Sequence, residues 1–227
     1  MATRRLTLAG AAGAAGGGIV AVATMLTIAG AVVLLFFNPA WVDVAQRRAS
    51  VDRITGYPMS EVRRVTDAMI GEIYLGPGTF EMAVDGVPVL TQRERTHMGD
   101  VRVVVLRFLL VAGAGAAALA GVAAVGRRRP WFWRGMAAGA GTIVAVGLVA
   151  GAGLIVAFDA TFTFFHLLFF QPGSFVFDPR IERLVQLFPE QLWVESFIAV
   201  AITGFVVALA VLVVALARLR RFAAARS

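Results

Sequence analysis

His97 and His166 are the only imidazoles in a chain of 227 residues that contains no cysteine. Imidazole takes up and gives back a proton near neutral pH, so two such groups brought together would support general acid–base chemistry. A histidine standing alone is more often structural, and the pair gains meaning only if the fold unites it. Glu94 and Asp100 lie three residues either side of His97. If a helix begins near Glu94, either carboxylate shares the face of His97 and can fix its tautomer. Asp159, Thr163 and His166 fall at i, i+4 and i+7, one stripe if the third apolar helix continues past Phe158. The competing reading makes these acids ordinary solvated groups at helix ends. Arg107 would lie about 15 Å deeper than His97 on a helix rising 1.5 Å per residue. An arginine there faces the bundle interior by default or snorkels outward as an anchor.

Other chemistries lack their residues. Without cysteine there is neither a thiolate nucleophile nor a cysteine-based metal site. Ser174, in Pro172-Gly173-Ser174-Phe175, has no strand–turn–helix context for a nucleophile elbow. No HExxH or P-loop pattern occurs. His97, His166, Glu94 and Asp100 show no metal-ligand spacing, so no metal and no cofactor are expected.

The elements that must position these side chains are read from hydropathy. The chain is 59% hydrophobic, and its apolar runs exceed the roughly 18 residues that mark a membrane span. Residues 1–37 read as a first transmembrane helix. Arg4-Arg5 before an apolar run resembles an export signal, but the run is about 30 residues long, beyond the 7–15 of a signal core. Residues 38–100 are polar and mixed, an extramembrane α+β insertion. Within it a short helix is expected from Trp41 to Arg53, and another to Tyr74 with Ser60 as N-cap. Gly76-Pro77-Gly78 ends that helix, and a hairpin of Thr79–Val84 and Val87–Leu90 should turn on Asp85-Gly86. Residues 101–158 hold a second span (about Val101–Val125) and a third (Gly135–Phe158), joined by a basic turn. Residues 196–227 hold the fourth span, about Ser196–Ala217, and a basic tail. Gly13/Gly17, Gly135/Gly139 and Gly147/Gly151 have the spacing of close helix contacts.

Residues 159–195 form an aromatic segment, re-entrant or interfacial, in which Phe165, Phe169, Phe170 and Trp193 suit a membrane–water boundary. Asp178-Pro179 is expected to cap a surface helix ending before Pro189, with Ile181, Leu184, Val185 and Phe188 as its apolar stripe. Arg180 and Arg183 would then meet lipid phosphate or solvent.

The net charge of +7 is carried entirely by arginine and gathers at the ends of apolar runs. That distribution is a topology signal and argues against a nucleic-acid surface. The N-terminus, the 127–134 turn and the tail carry ten arginines and no acid, so both termini are expected to be cytoplasmic. The segments 38–100 and 159–195, with both histidines, then face outward together. The expected fold is an all-α membrane protein of four transmembrane helices with a small extracytoplasmic α+β insertion between the first and second.

Two blocks carry a resemblance: Arg93-Glu94-Arg95-Thr96-His97-Met98-Gly99-Asp100-Val101, and Phe165-His166-Leu167-Leu168-Phe169-Phe170 followed by Phe177-Asp178 and Leu187-Phe188-Pro189-Glu190. They resemble a bacterial four-helix integral membrane family that includes the lipoprotein intramolecular transacylases. The resemblance implies a multi-pass protein of the bacterial cytoplasmic membrane acting on a lipid-modified lipoprotein. The reaction implied moves the sn-2 acyl chain of a diacylglyceryl cysteine onto that cysteine's own amine, with His97 and His166 as the functional histidines. Which is base and which is acid stays open, as do the oligomeric state and the acyl preference. The alternative is a non-enzymatic envelope protein whose 38–100 domain binds a partner.

Overall fold

The computed structural model describes residues 2–225. Four helices are long and apolar enough to cross a membrane, over Gly13–Phe36, Gln92–Gly126, Pro130–Gly153 and Glu190–Ala224. A small two-stranded sheet accompanies them. The chain divides into two compact units. One comprises the residues up to Val32, Leu109–Ala150 and those from Ala201 onward; the other comprises Val33–Phe108 and Gly151–Val200.

In the first unit, helices approach through small residues. A Cβ added at Gly139 of α6 (Pro130–Val156) would stand 2.3 Å from the carbonyl oxygen of Ala21 in α1 (Ala2–Phe36), and one at Gly135 would stand 2.5 Å from that of Gly17. Gly13 and Gly17 meet Trp131. Gly147 has nothing within 4 Å, so it is no contact point. An apolar groove of about 580 Å³ runs between α1 and α5 (Gln92–Gly126), lined by residues such as Gly18, Val22, Leu26 and Gly115.

The second unit has a conventional core. Asn38 caps α2 (Pro39–Arg48), its side chain accepting from Ala40 N and Trp41 N, with Pro39 at the first helical position. The helix expected over Trp41–Arg53 is two: Ser50, at φ 53°, breaks it before α3 (Val51–Thr55). The next helix, α4 (Met59–Tyr74), starts one residue before Ser60 and has Pro58 as its N-cap, so Ser60 does not cap it. Val62, Val65, Met69 and Ile73 line its buried face with Phe80, Val89 and Leu90. The hairpin forms as β1 (Ala83–Val84) and β2 (Val87–Pro88), in register Ala83↔Pro88 and Val84↔Val87. Asp85 (φ 50°) and Gly86 (φ 78°) supply the two positive φ angles of its tight turn.

Helix α5 begins at Gln92, close to the Glu94 start considered from the sequence, because Thr91 and Glu94 form a capping box. Thr91 Oγ1 accepts from Glu94 N at 3.3 Å, and Glu94 Oε2 accepts from Thr91 N at 2.7 Å. The third apolar helix does not continue past Phe158. It breaks at Ala157 (φ −151°, ψ 68°), and α7 (Phe158–Phe169) starts anew. The surface helix expected after Asp178 is also different: α8 covers only Arg183–Leu187, with Glu182 at its N-cap. Asp178 does accept from Arg180 N as a cap would, but only one turn follows, with Ile181 N and Glu182 N donating to Asp178 O. Glu182, at φ −97°, ψ 121°, leaves helical geometry before α8 starts. Leu184 and Leu187 sit in the same core as α4, so α8 packs inward instead of lying on a bilayer surface. Finally, α9 (Glu190–Ala224) starts well before Ser196, so Trp193 lies in its first turns.

Candidate active site

The capping box that starts α5 places His97 little more than one turn into that helix, and α7 carries His166. The two rings are 6.4 Å apart between centroids with planes 23° from parallel. That separation lets both imidazoles reach one small reacting group between or beside them.

Aromatic rings box the pair. Phe170 and Phe177 lie 5.0 and 5.4 Å from the His97 ring. Phe162, Phe175 and Phe170 lie 4.0, 4.9 and 5.6 Å from His166. His97 is 7% exposed, and its Nδ1 is buried with no hydrogen-bond partner among the described residues. A buried polar atom without a partner has lost its hydration without replacement, which is tolerated where a substrate atom supplies the missing bond.

His166 is differently held. Its Nδ1 lies 2.8 Å from the carbonyl oxygen of Phe162, one turn back on α7. A carbonyl only accepts, so Nδ1 carries the proton and Nε2 keeps the lone pair. Helix α7 is too short to be one of the four spans. Burial pushes the His166 imidazole below its ordinary pKa, and the Phe162 bond opposes that shift. It is therefore neutral at pH 7, the form that can accept a proton.

The other residues singled out from the sequence divide sharply. Glu94 is fully buried but does not hold His97: its two oxygens accept from Thr91 N and from Leu184 N, the latter at 2.7 Å. It is a fastener between the start of α5 and the start of α8. Asp100, Asp159 and Thr163 are exposed and make no hydrogen bond to either histidine. The stripe Asp159–Thr163–His166 does lie on one helix, but the partner of His166 is the Phe162 carbonyl. Arg107 is exposed on α5, with no hydrogen bond or ion pair among the described residues, and so does not meet a buried partner there. Arg180 is occupied by Asp178, whose carboxyl it holds down to about 2 through hydrogen bonds. Phe165 and Phe169 are exposed on α7, 41% and 50% respectively, whereas Phe170 is half-buried against both histidines. Trp193 donates to Phe188 O at 3.0 Å and packs against Phe162 and Phe197.

Sequence reasoning missed Arg93. It lies one helical turn before His97 and reaches the segment that carries Phe175 and Phe177. The signal was present, since the Thr91-Gln92-Arg93-Glu94 capping box sets α5 in register and puts Arg93 on the His97 side. Among the described residues no three His, Cys, Asp or Glu side chains come together as a metal-holding group.

Comparison with known proteins agrees with this architecture. The family model of the lipoprotein intramolecular transacylase Lit matches residues 18–193, which include both histidines. No curated protein sequence matches the chain. Among solved structures, the chain is similar to the membrane integral lipoprotein intramolecular transacylase Lit from Bacillus cereus. The TM-score is 0.76 at 15% identity, over 93% of this chain and 99% of that one. A form of the same bacillar protein with a histidine-to-arginine substitution matches with a TM-score of 0.77 at 14% identity, over 98% of this chain and all of the other. At such identity the structures establish a common fold, while the family model spans most of the sequence. The chain belongs to the lipoprotein intramolecular transacylase family.

Proposed function

We propose that this protein transfers the sn-2 acyl chain of a diacylglyceryl-cysteine lipoprotein to the amine of that same cysteine, with His166 as general base and His97 as its partner. The observation that carries the reading is the stacked pair of imidazoles in an aromatic box, one with its Nδ1 proton committed to a backbone carbonyl and the other with Nδ1 unpartnered. The neutral amine attacks the ester carbonyl carbon, and His166 Nε2 accepts the proton released as the new N–C bond forms. The carbonyl C–O bond to the sn-2 oxygen breaks, and that oxygen takes up the proton held by the His166 imidazolium by way of the His97 ring, which gives one proton as it receives one, so both imidazoles end neutral. The sum is one amide and one free hydroxyl, with the proton passed from nitrogen to oxygen and no water consumed.

Amine and ester belong to one molecule, so the site need supply only geometry and proton transfer. Effective molarities of well-oriented intramolecular reactions account for a large share of the rate, roughly 7–11 kcal/mol of barrier in favourable cases. The rings of Phe162, Phe170, Phe175 and Phe177 suit acyl chains and keep bulk water from the ester, which favours aminolysis over hydrolysis. Exposed Phe165 and Phe169 suit lipid contact. The arginine distribution supports cytoplasmic termini and a site at the outer face of the bacterial cytoplasmic membrane.

The test is co-expression with a reporter lipoprotein whose N-terminal peptide is read by mass spectrometry. Movement of one acyl group from glycerol to the α-amine, at unchanged total mass, supports the proposal. Reporter that stays diacylated on glycerol, with the protein present in the membrane, refutes it and favours the partner-binding alternative for residues 38–100.

A further inference from the structure

The ring box around the histidines is built largely from residues 170–177, a segment with no regular structure of its own that follows α7. Its local bonds are few: Ser174 N and Oγ both donate to Gln171 O, closing one turn in which Gly173 stands at φ 85°. Such a segment holds Phe170, Phe175 and Phe177 in place only if something outside it fixes the backbone.

Arg93 does so from four directions. Its Nη1 pairs with Glu182 Oε1 at 3.1 Å. Its Nη2 donates to the carbonyls of Gly173 and Val176, which bracket Phe175 in the chain. Its guanidinium carbon lies 4.7 Å from the centroid of Phe177. Glu182, nearly buried, turns its second oxygen to Asp178 N, so the ion pair also fixes the far end of the segment. A planar guanidinium with five donors can bond two carbonyls and a carboxylate while stacking on a ring; an ammonium cannot. The neighbouring Glu94 secures Leu184 N in α8, just beyond this segment, so two consecutive residues of the helix that carries His97 hold residues 173–184.

We infer that Arg93 is a positioning residue for the histidine pair: it clamps the 173–182 strap so that Phe175 and Phe177 press against His166 and His97. The role rests on the acid–base reading of the pair, while the clamp itself is a structural statement that can be tested apart from it. Loss of Arg93 frees the strap, lets the imidazoles leave their reacting geometry and opens His97 to solvent.

The experiment uses the full-length protein in lipid nanodiscs and compares wild type with Arg93→Ala, Arg93→Lys and Glu182→Gln. Diethylpyrocarbonate labelling is read separately at His97 and His166 by mass spectrometry, alongside kcat and KM on the diacylated reporter and a melting curve. The clamp predicts that His97 labels several-fold faster in Arg93→Ala. It also predicts that kcat falls about 100-fold, the scale of an ångström-size misplacement, while KM changes less. Lysine restores part of both because it keeps the Glu182 pair but loses the carbonyl fork and the stacking. Unchanged labelling of His97, or unchanged kcat in an active background, overturns the inference. If Arg93→Ala fails to fold, Arg93→Lys and Glu182→Gln decide, and wild-type labelling and kcat in both overturn it. An inactive wild type refutes the acyl-transfer proposal instead, and labelling then still decides whether the clamp exists.

Discussion

The two compact units hold themselves together by different means. In the unit built from the ends of the long helices, the side-chain hydrogen bonds among the described residues are local: Thr27 to Ala23 O, Thr142 to Ala138 O, Trp133 to Arg127 O. Contact between helices there runs through glycine, with Gly135 and Gly139 set against backbone carbonyls of α1 and Gly115 against Leu26. In the unit that holds the histidines, polar side chains reach across long stretches of chain. Gln46 donates to Leu187 O, Trp41 to Ser196 Oγ, Arg183 to Thr55 O, and Glu94 accepts from Leu184 N. The difference follows from solvent. Between apolar helices in lipid, close approach of small residues provides the packing. Around a proton-transfer site the chain needs directional bonds, because a ring displaced by an ångström no longer serves.

The sharpest way to break that contrast is at Glu94. Replacement by alanine leaves the N–H groups of Thr91 and Leu184 without their acceptor; water can replace it at exposed Thr91, but the buried Leu184 N–H is orphaned, at a cost of about 1–3 kcal/mol. Glu94→Ala should therefore lower stability by about 2 kcal/mol in a denaturation experiment and reduce activity through a loosened α8. Glu94→Gln, which keeps an acceptor oxygen, should lose less. On the glycine side, Gly139→Ala adds a methyl 2.3 Å from Ala21 O and 3.0 Å from Thr24 Cβ. Overpacking of this kind costs about 1–3 kcal/mol, against a gain of about 1 kcal/mol in helix propensity. A net loss of thermal stability is expected there, while Gly141→Ala, with nothing within 4 Å, should be neutral or slightly stabilising. Equal behaviour of the two alanines would remove the packing argument.

The smallest effect is expected at the solvated end of the strap. Arg180 keeps the Asp178 carboxyl at about 2, below its ordinary value of 3.8. A depressed carboxyl pKa contributes stability that is present above the unfolded value and is lost as pH falls through the folded one. Any contribution of the pair is thus fully present between pH 5 and 8, but because the pair is solvent-exposed and screened, Arg180→Ala should lower melting there only slightly. A clear drop would make that pair part of the clamp.

Much of this was legible from residue order. Long apolar runs announced the four spans, Asp85-Gly86 announced the hairpin, and the scarcity of histidine singled out His97 and His166. Other features depended on competition that no single stretch displays. Asp178-Pro179 does start a turn, with Asp178 accepting from Arg180 N, but an extended Glu182 ends it before a helix forms. Ser60 reads as an N-cap, but the helix begins one residue earlier, with Pro58 as its cap. Trp41–Arg53 reads as one helix because a left-handed Ser50 carries no sequence mark as strong as glycine. Arg93 reads as a solvated charge at a helix end, since its partners lie far along the chain. Glu94 shows the same limit: its helix periodicity pointed to His97, while its oxygens went to backbone donors.

The most direct measurement is turnover of the diacylated reporter by purified wild type, His97→Ala, His166→Ala and the double variant, each confirmed folded by its melting curve. If the histidines act as one acid–base unit, each single variant loses at least about 100-fold in kcat, the lower range for general acid–base catalysis, and the double variant falls little further. Either single variant turning over at the wild-type rate contradicts the account.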